Sequence, residues 1–237
     1  MSLTTNLVSY YKFDEASGNA ADSTANANTL TNVGTVTYSA GKINNGASLN
    51  GTTQYFDITD STSLRITGDL SVFAWVKFNT ANTASYVLSK GFESDNNITR
   101  AYNFGFSADN KLNFFVSSAG SGGGQAQVAW TPSTGTWYYI GAIYTASAGS
   151  VSFYVNGSQQ GSTITGLQTS IYSSASKTFV GSYDQTYYYF KGLLDELGIW
   201  SRVLTSTEVT SLYNGGAGLQ YPFSTFTPNT SNFFAFF

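Results

Sequence analysis

Short runs of alternating apolar and polar residues, each closed by turn formers, limit this 237-residue chain more than any other feature. Leu70–Phe78 (LSVFAWVKF) sets Val72, Ala74 and Val76 on one side and Ser71, Phe73, Trp75 and Lys77 on the other, the two-residue period of a strand. Runs at Leu7–Phe13, Tyr86–Lys90, Ala101–Ser107, Lys111–Val116, Gln125–Trp130, Trp137–Tyr144, Val151–Val155, Lys177–Gly181 and Tyr188–Trp200 read the same way. Asp109–Asn110 and Asn156–Gly157 stand where tight hairpin turns belong, and Asn50–Gly51–Thr52 predicts a hairpin joining Ala47–Leu49 to Gln54–Ile58. Ser61–Leu64 reads as a short helical turn. Many short strands with one short helix predict an all-β, two-sheet antiparallel sandwich. The turns recur but the sequence does not, which disfavours a propeller or solenoid.

The stretch Tyr189–Gly216 (YFKGLLDELGIWSRVLTSTEVTSLYNGG) changes period midway. Its first half is a strand carrying the acidic pair Asp195–Glu196 among Leu194, Leu197 and Ile199. Neighbouring strand residues face opposite ways, so the expectation is that Asp195 points inward and Glu196 toward solvent. The second half has helical spacing. Thr205 and Glu208 form a capping box, Val209, Leu212 and Tyr213 make one apolar stripe, and Gly215–Gly216 ends it.

Composition excludes several chemistries. Charged residues make up 10% of the chain and the net charge is −3 with no basic run, which argues against a nucleic-acid binder. Histidine and cysteine are both absent, removing thiolate and imidazole catalysis, disulfides and His- or Cys-ligated zinc. Oxygen ligands remain, and these suit Ca²⁺. Asp195, an acid within an apolar strand, is the starting point for a calcium expectation; the alternative is that it accepts backbone N–H bonds. The opening MSLTTNLVSYYKFDEASG is not read as a secretory leader, and no apolar run is long enough to span a membrane.

Residues 219–237 differ from the rest and are read as a separate Phe-rich tail after a sandwich domain at 1–218. Tyr221, Phe223, Phe226, Phe233, Phe234, Phe236 and Phe237 either fold back on the sandwich or dock on a protein partner or another copy.

Three segments together carry a resemblance: SYYKFDEASGNAADSTANAN, GASLNGTTQYFDI and FVGSYDQTYYYFKGLLDELGIWSRVLTSTEVTSLYNGG. They resemble the laminin-G-like jelly rolls of the concanavalin A-like superfamily, including the phage and bacterial type, over about residues 5–216. The resemblance implies a jelly-roll sandwich, binding or adhesion rather than catalysis, and often a structural calcium. For that calcium it implies Asp22, Asn26 and Asn28 as ligands, with carbonyls near Gly51, beside Asp195.

Tyr183, Asp184, Tyr187 and Tyr188 lie just before the closing strand and form the candidate ligand site. Aromatic faces with a hydrogen-bonding acid suit a sugar ring, although tyrosine is frequent throughout this chain and such rings also pack on sheets. Gly120–Gly124 lacks the lysine and helix of a phosphate loop. Glycoside hydrolysis needs two facing carboxyls about 5–10 Å apart, and the four glutamates here (Glu15, Glu93, Glu196, Glu208) have no such spacing, so no enzyme is expected. Two functions are expected: a lectin-like module binding a surface glycan, or a structural virion protein, a capsid decoration or fibre component, anchored through the tail. Either places the chain outside the cell or on a virion surface.

Overall fold

A computed structural model describes residues 2–80, 83–91 and 99–223, with the backbone alone at 93, 94, 97 and 98. The strands in order are β1 (Leu7–Tyr11), β2 (Thr31–Val33), β3 (Thr37–Ala40), β4 (Asn45–Asn50), β5 (Tyr55–Ile58) and β6 (Leu70–Phe78). Next come β7 (Ser85–Lys90), β8 (Glu93–Ser94), β9 (Asn97–Ile98), β10 (Tyr102–Ser107), β11 (Lys111–Val116) and β12 (Gly124–Ala129). The last are β13 (Trp137–Thr145), β14 (Ser150–Val155), β15 (Ser158–Ile164), β16 (Thr178–Val180) and β17 (Lys191–Trp200), followed by helix α1 (Ser206–Tyr213). An eight-stranded sheet runs β15-β14-β13-β6-β17-β4-β3, with β1 also paired to β17. A seven-stranded sheet runs β12-β11-β10-β7-β16-β5-β2. Strand pairing is antiparallel throughout both sheets, and the expected all-β sandwich is what forms.

Alternation sets the layers. Val72, Ala74 and Val76 of β6 meet Phe104, Phe114 and Val180 of the facing sheet in the inter-sheet core. The opposite face of β6 is buried too. Phe73 and Trp75 join Tyr10, Tyr139, Tyr154 and Trp200 in a second apolar layer roofed by Leu204, Val209 and Leu212. Gly141, paired to Phe73, makes this possible, because a Cβ there would meet the Phe73 ring at 2.1 Å. Fully burying an aromatic side chain contributes roughly 1.5–3 kcal/mol, so this second layer is a large part of the fold's stability.

Helix α1 is held where it closes that layer. The Thr205 hydroxyl accepts the Glu208 amide and the Glu208 carboxylate accepts the Thr205 amide, completing the expected capping box. Glu208 also receives both arms of Arg202 at 2.8 Å, and Arg202 donates to the Thr5 and Ser2 carbonyls. This pairing, led by the Arg202 hydrogen bonds, holds the Glu208 carboxyl down at about 2.

Two expectations fail. β4 and β5 do not form a hairpin: β4 pairs with β3 and β17 in one sheet, β5 with β2 and β16 in the other. Asn50–Gly51–Thr52 is instead a corner between sheets, its bend held by Asn50 Oδ1 accepting the Thr52, Thr53 and Gln54 amides. Glu196 does not face solvent. It is 2% exposed because a bulge between Asp195 and Gly198, with Glu196 at φ +50°, breaks the alternation and turns both acids inward.

Candidate functional site

Among the described residues no helix covers the outer face of the seven-stranded sheet, and its register lays a row of side chains across it. Asp57, Phe179, Ser89, Asn103, Phe115 and Gln125 are successive partners on β5, β16, β7, β10, β11 and β12. Since cross-strand partners share a face, this row and its neighbour Tyr86 form a floor of mixed aromatic and amide groups. The segment Gly181–Phe190, joining β16 to β17, rises as a wall beside it.

That segment is shaped by its own hydrogen bonds. Asp184 Oδ1 accepts the amides of Thr186 at 2.6 Å and Tyr187 at 2.8 Å. Tyr183 donates its amide to the Tyr187 carbonyl, and Tyr188, at φ +57°, accepts the Tyr86 amide, pinning the loop to the start of β7. Asp184 is therefore a buried turn brace. The loop lifts Tyr187 and Tyr188, 59% and 51% exposed, above the sheet.

Wall and floor enclose a cleft of about 600 Å³. Tyr86, Tyr183, Tyr187, Tyr188 and Phe115 supply its aromatic surface, with Arg100, Asn103, Gln125 and Asp184 among its polar lining. Ring centroids lie 5.2 Å apart for Tyr86–Tyr183, 6.0 Å for Tyr86–Tyr188 and 6.1 Å for Tyr187–Tyr188. At the far end the Arg100 guanidinium stacks 4.8 Å over Phe115. Gly123 leaves room for that ring, since a Cβ there would meet it at 2.4 Å. Burial, then the neighbouring Tyr183 and Tyr188, push the Tyr86 hydroxyl up to about 12, so it stays protonated and able to donate at neutral pH.

All four residues expected to bind ligand, Tyr183, Asp184, Tyr187 and Tyr188, line this cleft. Sequence reasoning missed Tyr86, Arg100, Asn103, Phe115 and Gln125, which come from four other stretches and meet only through register.

Of the five residues expected around calcium, Asp22, Asn26 and Asn28 share one loop network, and Gly51 and Asp195 are engaged elsewhere. Asp22 Oδ1 accepts the Tyr10 and Thr24 amides, and its Oδ2 accepts the Asn28 amide and the Thr24 hydroxyl. Asn26 donates its side-chain amide to the Val8 carbonyl, and Asn28 donates to Ser9 and Ser63. Gly51 lies at the sheet corner against the Lys191 side chain. Asp195 Oδ2 accepts the Lys42 and Ile43 amides at 2.7 and 2.9 Å. Its Oδ1 is buried without a partner. Among the described residues no cluster of three or more acids, histidines or cysteines has metal-site geometry. The Asp22 carboxylate is braced by N–H and O–H groups.

Of the tail residues expected to dock on a partner, Tyr221 and Phe223 pack on the sandwich itself. Tyr10 lies 5.9 Å from Tyr221 and 5.1 Å from Phe223, and Trp200 lies 6.4 Å from Phe223. Phe226, Phe233, Phe234, Phe236 and Phe237 fall outside the described residues.

A family model described as the concanavalin A-like lectin/glucanases superfamily (Laminin_G_3) matches residues 50–210, more than half of the chain. The chain belongs to this superfamily. Among proteins with curated descriptions, none matches it in sequence. Solved structures with the same fold include domain 4 of AbnA, an extracellular arabinanase of Geobacillus stearothermophilus solved with arabinotriose. It has a TM-score of 0.67 at 24% identity, covering 86% of this chain and 97% of that one. The botulinum neurotoxin serotype G binding domain superposes with a TM-score of 0.67 at 16% identity, covering 88% of this chain. The binding domain of Paraclostridial Mosquitocidal Protein 1 gives 0.66 at 14% identity, covering 90%. The superfamily member described here spans about half the length of these two toxin domains. No helix among its described residues is long and apolar enough to cross a membrane.

Proposed function

We propose that this chain is a non-catalytic carbohydrate-binding module whose ligand lies in the tyrosine-walled cleft. The observation that carries this reading is the pairing of exposed Tyr187 and Tyr188 with a floor of neutral amides in an open cleft of about 600 Å³. Sugars present apolar ring faces and a rim of hydroxyls, which aromatic rings and amides match. The arabinanase domain solved with arabinotriose supports the same reading, as does botulinum neurotoxin type C, whose cell entry depends upon interaction with two ganglioside molecules. Among the described residues that line the cleft, Asp184 is the single carboxylate, and its turn-bracing role supports binding without hydrolysis.

The test is isothermal titration against a panel of soluble polysaccharides, repeated with Tyr187→Ala and Tyr188→Ala. Each substitution is expected to weaken binding by about 1–2 kcal/mol without moving the melting temperature. A panel with no ligand, or variants that bind as well as wild type, overturns the reading.

The virion reading rests on the tail beyond Phe223, and the packing of Tyr221 and Phe223 on Tyr10 and Trp200 favours the sandwich as their partner. For calcium, the observed donors favour amide bracing by Asp22 and Asp195. Melting curves with and without EGTA are then expected to coincide, and a drop in melting temperature with EGTA would restore the metal.

A further inference from the structure

The cleft floor contains one amide that the fold does not use. Asn103, at the centre of β10, lines the cleft and is 5% exposed, yet its side-chain Oδ1 has no hydrogen-bond partner. Its neighbours are committed elsewhere. Ser89, its partner on β7, donates its hydroxyl to the Gly91 carbonyl, and Phe115, its partner on β11, is capped by Arg100. Gln125, next in the row, donates to Asn113 Oδ1 at 2.5 Å. A buried acceptor left unpaired destabilises a fold, and native interiors rarely keep one. An asparagine that only filled space here is better replaced by an apolar residue of similar size.

We propose that Asn103 is a specificity-determining residue of the cleft: its Oδ1 accepts a hydrogen bond from a sugar hydroxyl, and its N–H groups are available to an adjacent one. The assignment rests on the carbohydrate reading of the cleft. An unpaired acceptor requires a donor, so the chemistry selected is a neutral sugar unit with free neighbouring hydroxyls, not a ring whose contacting group is a carboxylate or sulfate. A site built to pair with a hydroxyl discriminates strongly against an analogue lacking it, because the buried group is then stranded.

The experiment measures two quantities on Asn103→Leu and Asn103→Asp: binding by titration calorimetry and the urea midpoint of unfolding. The probes are arabinotriose, cellotriose, mannotriose and monodeoxy versions of whichever binds wild type, with a uronic acid trisaccharide alongside. Asn103→Leu is expected to bind about tenfold or more weakly while unfolding at a higher urea concentration. Asn103→Asp, which keeps an acceptor oxygen, is expected to retain more of the binding. Wild type is expected to discriminate against one monodeoxy sugar, and Asn103→Leu to lose that discrimination. Weaker binding with a lowered urea midpoint in Asn103→Leu means a structural role and overturns the assignment, as does preference for the uronic acid probe. If Asn103→Leu binds like wild type while Tyr187→Ala and Tyr188→Ala do not bind, the cleft stands and Asn103 falls. If wild type binds no probe, both fall together.

Discussion

Glu196 shows how one residue can depart from its sequence pattern. It lies beside Asp195 within a buried acidic group, accepting hydrogen bonds from the Tyr10 hydroxyl and from Gln220 Nε2, which also donates to Asp14. Burial is the main cause of its carboxyl rising to about 7; for Asp195, burial followed by the Glu196 charge gives about 9. Both values are raised in the fold, so over this window the folded state holds protons that the unfolded chain has released. The stability this pair contributes is therefore full near pH 4, falls as pH rises through 7 and continues to fall toward 9. Urea midpoints at pH 5, 7 and 9 check this. Glu196→Gln is expected to flatten the lower part of the decline and Asp195→Asn the upper part, and unchanged slopes would show that other groups carry it. The sequence marks the acidic pair as unusual and Asp195 as the inward member. It does not reveal the left-handed turn at Glu196, because alternation is a regular-strand rule and a bulge suspends it.

At the scale of elements, α1 and its anchor are the most legible part of the chain. The spacing of Arg202, Thr205 and Glu208 carries cap and ion pair together, since one carboxylate serves both. Arg202→Ala leaves Glu208 buried and unpaired and is expected to cost about 3 kcal/mol. Thr205→Ala, which loses only the cap, is expected to cost about 1 kcal/mol. Chemical denaturation of the two variants checks the order, and equal losses would mean the guanidinium contributes nothing beyond the cap. Glu208 has a lowered value, so its contribution is present above the ordinary carboxylate range and disappears as pH falls toward 2. Some strands are not legible in the sequence. β2 (TNV), β3 (TYSA) and β15 (SQQGSTI) are largely exposed and lack apolar alternation; their neighbours in the sheet, not their own side chains, make them strands. The corner at Asn50–Gly51–Thr52 reads as a hairpin because sequence shows a turn but not which sheet receives the next strand.

For the whole molecule, the cleft divides along the same line. Its wall is one contiguous loop rich in tyrosine and can be picked out by eye. The floor is assembled from β7, β10, β11 and β12 and the approach to β10, where Asn103 and Phe115 are partners only through strand pairing. A chain ending at Gly218 tests the rest of the architecture. It removes Tyr221 and Phe223 from Tyr10 and Trp200, and Gln220 from Glu196 and Asp14. The expected loss is about 2–4 kcal/mol in urea unfolding with sugar binding unchanged. Undiminished stability would mean the aromatic contacts are incidental, and lost binding would tie the two sides of the sandwich together.

The second apolar layer has a directional consequence. It seals the outer side of the eight-stranded sheet with α1 and residues 219–223, leaving the open cleft on the other sheet. The proposed binding cleft and the last described residues, Tyr221–Phe223, thereby lie on opposite faces of the sandwich. In a chain shortened to end at Phe223, a bead or surface joined at that residue would hold the molecule by its back, with the tyrosine loop facing outward into the medium.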